Sequence, residues 1–223
     1  MSPQEKGSTI TVALLDRHLM FRQGLECLLK NAEETTLVGS IESPDDVPRC
    51  FGRVDVDVLV FELDFQAGDP LRLIWDWSRA YPKVAFLALS AVEERLYAER
   101  VVRAGAKGFV SKCEPFEKVL PALAKVVEGK LAVSPEIEAL LLSNYSRLRK
   151  ENGNSIADKV DILSDRELLV LTLIGQGMGN AAIAKTMGVS PKTVGAFKER
   201  IKEKLAIYNS YQLTQFAAQA VTA

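Results

Sequence analysis

The sequence has one histidine, His18, and three cysteines, Cys27, Cys50 and Cys113. A single imidazole excludes most histidine-based catalytic and metal sites, and cysteines this far apart exclude a local metal clip. An odd cysteine count without an export signal fits free thiols in a reducing cytosol. No apolar run is long enough to span a membrane, and the opening MSPQEKGST lacks a signal-peptide apolar region. Repeats and low-complexity tracts are also missing. The expectation is a cytoplasmic protein with no cofactor, no metal and no membrane partner. No nucleophile–base pair stands out, so an enzyme is not expected.

What the chain does have is length and apolar content. Its 223 residues suffice for two small domains, and 48% hydrophobic residues support packed cores. The net charge of −1 carries no information by itself, but its distribution does. Residues 155–223 hold 8 Lys/Arg against 6 Asp/Glu, so a slightly basic C-terminal part follows an acidic N-terminal part. That excess is compatible with nucleic-acid binding and small enough to make non-specific affinity weak.

The first 130 residues alternate short apolar runs with helical patterns. ITVALL (10–15) reads as a buried strand followed by Asp16 and Arg17, and Leu19 to Lys30 has helical spacing. Further strands are expected at Leu37 to Ile41, Val56 to Phe61, Val84 to Leu89 and Gly108 to Ser111. Helices are expected to start at Pro44, at Pro70 with Asp69 as cap, near Glu93, and at Pro115, the last stopping at Gly129. Such alternation means a doubly wound α/β fold with a five-stranded parallel sheet. Functional groups then gather at the carboxyl ends of the strands, which places Asp16, Arg17, Glu62, Ser90 and Lys112 together. Of the two tryptophans on one helix, Trp75 and Trp77, one is expected in the core and the other on a partner surface.

The most informative stretch is Leu163 to Leu205. Ser164 and Glu167 form a capping box, and Gly175 and Gly177 end the helix that follows. Asn180 is expected to cap a short helix ended by Gly188, with Val189 filling the turn. Ser190 caps a third helix with Pro191 at its first position. On that helix Val194, Phe197, Ile201 and Leu205 make one apolar stripe, while Lys192, Lys198, Lys202 and Lys204 lie mostly off it. A short helix, a glycine turn and an amphipathic basic helix form the helix-turn-helix pattern, although a plain helical bundle with a solvated lysine face shares that spacing.

The residues themselves are more specific than their spacing. L-S-x-R-E-x-x-V-L-x-L-I-x-Q-G, N-x-x-I-A-x-x-M-G-V-S-x-K-T-V and K-x-K-L resemble the LuxR-type helix-turn-helix across Leu163 to Ala218. That resemblance implies an all-α, four-helix DNA-binding domain whose recognition helix is Pro191 to Lys204, with Asn209 to Gln219 as the fourth helix. Upstream, DRHLMFRQGL, V-D-x-L-V-F-E-L and A-G-A-K-G-F-V-S-K are similar to the receiver domain of two-component response regulators. Together they resemble the NarL/FixJ class. The implied domains are a receiver-like domain at 8–131, a linker with a helix at 132–160, and a LuxR-type domain at 161–223.

The receiver site departs from the family pattern. The family offers two adjacent acids after the first strand and an acceptor aspartate after the third, together binding Mg²⁺. Here those positions hold Asp16-Arg17 and Glu62, while Ser90 and Lys112 keep the expected types and Phe109 stands at the switch aromatic. Arg17 replaces a carboxylate with a fixed positive charge, and glutamate carries its carboxylate one methylene further out. The expectation is a metal-free pocket in which Arg17 and Lys112 pair with Asp16 and Glu62. Such a pocket could imitate the phosphorylated state or simply be a decayed site. Asp64 is an alternative acceptor, His18 a packing or capping residue, and Cys113 an inert thiol.

For the DNA-binding part, the resemblance assigns base-edge contacts to Gly195, Ala196 and Glu199. Phosphate contacts fall to Lys185, Lys192, Thr193, Lys198 and Lys202, with backbone N–H groups near Asn209 and Ser210. Alanine can touch a thymine methyl and glutamate can accept from cytosine, but glycine offers nothing, so base selectivity should be low or unusual. Pro135 to Lys150 has helical character, and ENGNSIADK reads as a flexible tether. The implied partners are double-stranded DNA and a second copy of the chain. Two functional readings stand. One is a transcription regulator independent of aspartate phosphorylation. The other is a module that binds another regulator protein and has lost independent DNA binding.

Overall fold

The computed structural model of the chain describes residues 9–63, 69–92, 94–145, 159–160 and 162–222. It contains a sheet of five parallel strands, β1 (Ile10–Leu15), β2 (Thr35–Ile41), β3 (Val58–Phe61), β4 (Ala85–Ser90) and β5 (Gly108–Ser111). Their order across the sheet is β2-β1-β3-β4-β5. The described chain falls into two compact units. The first comprises the described residues up to Leu63, Ile74–Ala91 and Gly105–Val133, and the second the described residues within 69–73, 92–104 and 134–222.

In the first unit both sheet faces are apolar, which is why the strands read as continuous rather than alternating hydrophobic runs. One face presents Val12, Leu14, Val58, Val60, Leu87 and Leu89 to Leu25 and Leu29 of α1 (Leu19–Asn31) and to Val119, Leu123 and Val126 of α5 (Val119–Val127). On the other face, Trp77 lies edge-on to Phe61 and stacks on Phe86, with ring centroids 6.0 and 6.2 Å apart. Trp77 belongs to α3 (Pro70–Ala80), where Trp75 is exposed, so the two tryptophans divide as expected. A short 3₁₀ turn (Pro44–Asp46) leads into α2 (Val47–Phe51) beside the edge strand β2.

Several boundaries move for physical reasons. β2 begins two residues before the expected Leu37, because the buried Thr35 hydroxyl donates to the Leu29 carbonyl at 2.6 Å and extends the strand. β3 begins two residues after the expected Val56. The Asp57 carboxylate there accepts from the Thr11 N–H and hydroxyl at 2.8 and 2.7 Å. The helix expected from Pro115 opens as a 3₁₀ turn (Phe116–Lys118) before α5.

The second unit contains α4 (Glu94–Ala104), α6 (Pro135–Tyr145), α7 (Asp165–Gly175), α8 (Asn180–Met187), α9 (Pro191–Leu205) and α10 (Ser210–Thr222). The Ser164/Glu167 capping box is fully formed on α7. Asn180, expected to cap α8, is instead its first residue, and Gly179 holds the cap position without a side-chain bond. Gly188 ends α8 in the left-handed region at φ 63°, where glycine carries no steric cost. Ser190 caps α9 by accepting from the Thr193 N–H at 3.1 Å, with Pro191 at the first position. The end of α9 uses Ala206 at φ 53°, a left-handed position that costs a non-glycine residue about 1 kcal/mol. Within the same unit Arg100 of α4 donates to Asp165 at 2.6 Å and to the Leu163 carbonyl at 2.9 Å, and the Tyr97 hydroxyl is bonded to that of Thr172. Residues 146–158, which include most of the expected tether, lie outside the described residues.

Candidate functional site: a closed carboxylate pair and an exposed helix face

The carboxyl ends of β1, β3, β4 and β5 converge as the strand placement requires. Asp16 follows β1, Glu62 follows β3, Ser90 ends β4 and Lys112 follows β5. The Lys112 ammonium reaches both acids. It lies 2.5 Å from Asp16 Oδ2 and is ion-paired with Glu62 Oε2. All three side chains are withdrawn from solvent, with exposures of 10% for Lys112, 2% for Asp16 and 7% for Glu62. Lys112 also sits over the Phe21 ring, 4.0 Å from its centroid.

The remaining carboxylate oxygens are engaged too. Asp16 Oδ1 accepts from the His18 N–H at 2.7 Å and lies 3.0 Å from His18 Nδ1. Glu62 Oε1 accepts from the Leu63 N–H at 2.8 Å and from the Ser90 hydroxyl. The extra methylene of glutamate lets its carboxylate turn back onto its own strand end and still meet Lys112. His18 therefore does not do what was expected of it. It occupies the cap position of α1 without capping, and its ring turns to Asp16. Arg17, expected to share the pairing, is exposed, and Lys112 bridges the two acids. Phe109 is buried at 2% exposure. Asp64 lies outside the described residues.

Asp16, His18 and Glu62 bring one ligand atom each within 4.8 Å of one another. That set does not suit Mg²⁺, a hard cation that wants several oxygen ligands in octahedral array and prefers carboxylates and water to imidazole. Each of the four carboxylate oxygens here already has a donor, and an ammonium holds the place between the acids.

On α9, Val194, Phe197 and Ile201 face inward with at most 9% exposure, and Leu205 is half-buried. The outward positions are Lys192, Thr193, Ala196 and Glu199, all exposed, with Gly195 half-buried. A Cβ added at Gly195 would meet nothing within 4 Å, so the helix is locally flat there. Glu199 is 67% exposed and pairs with Lys202 at 2.8 Å, so Lys202, expected as a phosphate contact, is tied along the helix. Partial burial holds the Lys198 ammonium below its ordinary pKa. Lys185 is exposed on α8, and the Thr193 hydroxyl is 2.8 Å from that of Ser190.

A residue that sequence reasoning missed holds this helix in place. Lys204 of α9 reaches back to Glu167 of α7 at 2.6 Å and to the Ile162 carbonyl at 3.2 Å. Burial works to raise the Glu167 carboxyl. Hydrogen bonds from Lys204 and Ser164, with the Lys204 charge, outweigh it and leave the group below its ordinary pKa. Glu167 thus serves the cap of α7 and the tether of α9 together. The cap was legible; the tether, spanning 37 positions, carried no local signal.

Residues 161–217 match the family described as bacterial regulatory proteins, luxR family. The "Oxygen regulatory protein NreC" of Staphylococcus haemolyticus is 30% identical over 207 residues, which covers 92% of this chain and 95% of that one. The protein of the same name from Staphylococcus carnosus is 28% identical over the same shares. The chain belongs to the NarL/FixJ-type response regulators. Solved structures agree on the fold of the family. The Salmonella typhimurium RcsB response regulator superposes with a TM-score of 0.75 at 22% identity, covering 96% of this chain and 100% of that one. RcsB from Salmonella enterica serovar Typhimurium bound to promoter rprA gives 0.70 at 23%, covering 95% and 99%. Within this family the chain is a regulator, and among the described residues no helix is long and apolar enough to cross a membrane.

Proposed function

We propose that this protein is a DNA-binding transcription regulator whose receiver-like part works without aspartate phosphorylation. One observation carries the reading: Lys112 is ion-paired with both Asp16 and Glu62, and every carboxylate oxygen of the two acids already has a donor. A glutamate held by Leu63, Ser90 and Lys112 presents no free carboxylate oxygen to a phosphodonor. The pair is therefore a standing charge arrangement that calls for neither a metal nor a phosphoryl group. Double-stranded DNA is the partner of α9, with Lys185, Lys192, Thr193 and Lys198 toward phosphates and Gly195, Ala196 and Glu199 toward base edges. Two copies acting on two half-sites compensate for a weak single reading head. The solved structure of two RcsB dimers bound to two parallel DNAs is a precedent for dimers on DNA in this fold.

Incubation with acetyl phosphate or beryllofluoride and Mg²⁺ tests the receiver reading. Intact-mass analysis should find the chain unmodified, with its oligomeric state unchanged. Stoichiometric, Mg²⁺-dependent modification at Glu62 or Asp64 would overturn it.

A second reading is favoured by the Glu199–Lys202 pair and by Gly195, which leave the base-reading side flat and its one acid already paired. On that reading the protein binds another regulator and has lost independent DNA binding. Gel shifts with Lys192→Ala and Lys198→Ala separate the two. Reduced binding in both variants supports the first reading, and binding indifferent to both at all salt concentrations supports the second.

A further inference from the structure

A second polar concavity lies in the first unit, between the edge strand β2 and α2, and it encloses about 390 Å³. That volume is in the range of small-molecule sites, roughly 300–1,000 Å³. One wall is the consecutive run 38–42 of β2 and its end. Because β2 is the edge of the sheet, outward backbone groups of this run have no strand partner among the described residues.

Three arginines, Arg22, Arg49 and Arg53, are among the residues that line the concavity, with two acidic residues, Glu42 and Asp46. Arg22 is committed. Its side chain is 11% exposed, it faces Glu42 at 3.5 Å, and its Nη1 donates to the Asp16 carbonyl. Arg49 and Arg53 are exposed, four positions apart, and have no ion pair among the described residues. The rest of the wall is uncharged. Val38, Ile41 and Val54 are apolar, and burial keeps the Cys50 thiol neutral by pushing its pKa up.

We propose that this concavity binds a small organic anion, a carboxylate or phosphate ester with an apolar body, through Arg49 and Arg53. Guanidinium forks match both headgroups in two-point contact, and the apolar wall accounts for the body. Arg22 connects the site to the carboxylate pair. An anion that competes with Glu42 for Arg22 alters the donor held on the Asp16 carbonyl, two bonds from the side chain that pairs with Lys112. The concavity is thus a chemical input that needs no phosphoryl transfer, and its binding step does not depend on DNA recognition by α9.

Isothermal titration of the full chain with phenyl phosphate, benzoate and inorganic phosphate tests the site. One of the two aromatic anions is expected to bind saturably, one per chain and tighter than inorganic phosphate; which one wins distinguishes a phosphate ester from a carboxylate. The Arg49→Gln/Arg53→Gln double variant changes only exposed side chains, and its thermal unfolding should match the parent while its affinity falls roughly tenfold or more. Lys192→Ala should bind as the parent does. Absence of saturable binding, binding unchanged in the double variant, or equal loss in Lys192→Ala would each overturn the proposal. For the connection through Arg22, saturating ligand should shift the amide resonance of His18, which donates to Asp16; binding without that shift refutes the connection.

Discussion

The chain carries two sets of opposite charges that are handled in contrary ways. Around Lys112 the charges are shut in, with every carboxylate oxygen of Asp16 and Glu62 engaged and no side chain above 10% exposure. On α9 the pairing is open on one side only: the Glu199–Lys202 pair is a rung along one helix, with Lys202 at 16% exposure and Glu199 at 67%. Similar partners at similar distances therefore have different consequences. A buried pair is costly to break because the survivor stays buried and charged, whereas an exposed pair is worth roughly 0–1 kcal/mol. The first set is built to keep one arrangement. The second can be reopened by a partner at little cost.

The largest test of that contrast is Lys112→Met. It leaves two carboxylates facing each other without a cation and should lower stability by about 3–5 kcal/mol in urea denaturation. Lys202→Met leaves as survivor the exposed Glu199, which water can solvate, and should cost no more than about 1 kcal/mol. Equal losses in the two variants would erase the distinction between the clusters.

Glu167 is the intermediate case, a nearly buried acid with its partner Lys204 at 40% exposure. Glu167→Ala removes the capping-box return bond and the tether to α9, and should cost about 1–3 kcal/mol. The sign with pH follows from a carboxyl whose folded pKa is depressed below 4.5. Its stabilisation is complete above the unfolded value and is lost as pH falls through the lower, folded one. Thermal unfolding between neutral and acid pH should show a shallower acid limb in Glu167→Gln than in the parent.

The same contrast explains what was readable from the sequence. β1 matches ITVALL because an apolar β-branched run is a local signal, and the Ser164–Glu167 box and the Ser190–Pro191 start are local signals as well. The carboxylate site was legible because parallel strands deliver their ends to one edge, so placing the strands placed Asp16, Glu62, Ser90 and Lys112. The direction a loop side chain takes is not local. Arg17 and His18 follow Asp16 directly, yet the first is exposed and the second folds back onto Asp16. Nor is a tertiary hydrogen bond, which is why Thr35 lengthens β2 and why the Lys204 tether was overlooked.

On α9 itself, Lys192→Ala should weaken DNA binding several-fold at every sequence and reduce the slope of log affinity against log salt by about one, measured by fluorescence anisotropy. A loss confined to one DNA sequence would mean that Lys192 reads a base.

The smallest expected effect is at Gly195, and there stability and recognition pull apart. Glycine inside a helix is less favourable than alanine by about 0.8–1.0 kcal/mol, because the unfolded chain loses more freedom when it is ordered. An added Cβ at this position meets nothing within 4 Å, so no clash cancels the gain. Gly195→Ala should therefore raise stability by up to about 1 kcal/mol, seen as a higher urea midpoint with an unchanged slope. Alanine shortens the reach available between the helix backbone and a base edge while adding only a methyl group. If α9 approaches DNA closely at its flat side, the stabilised variant binds DNA less well than the parent; if another protein is the partner of that side, DNA affinity stays where it was while stability still rises.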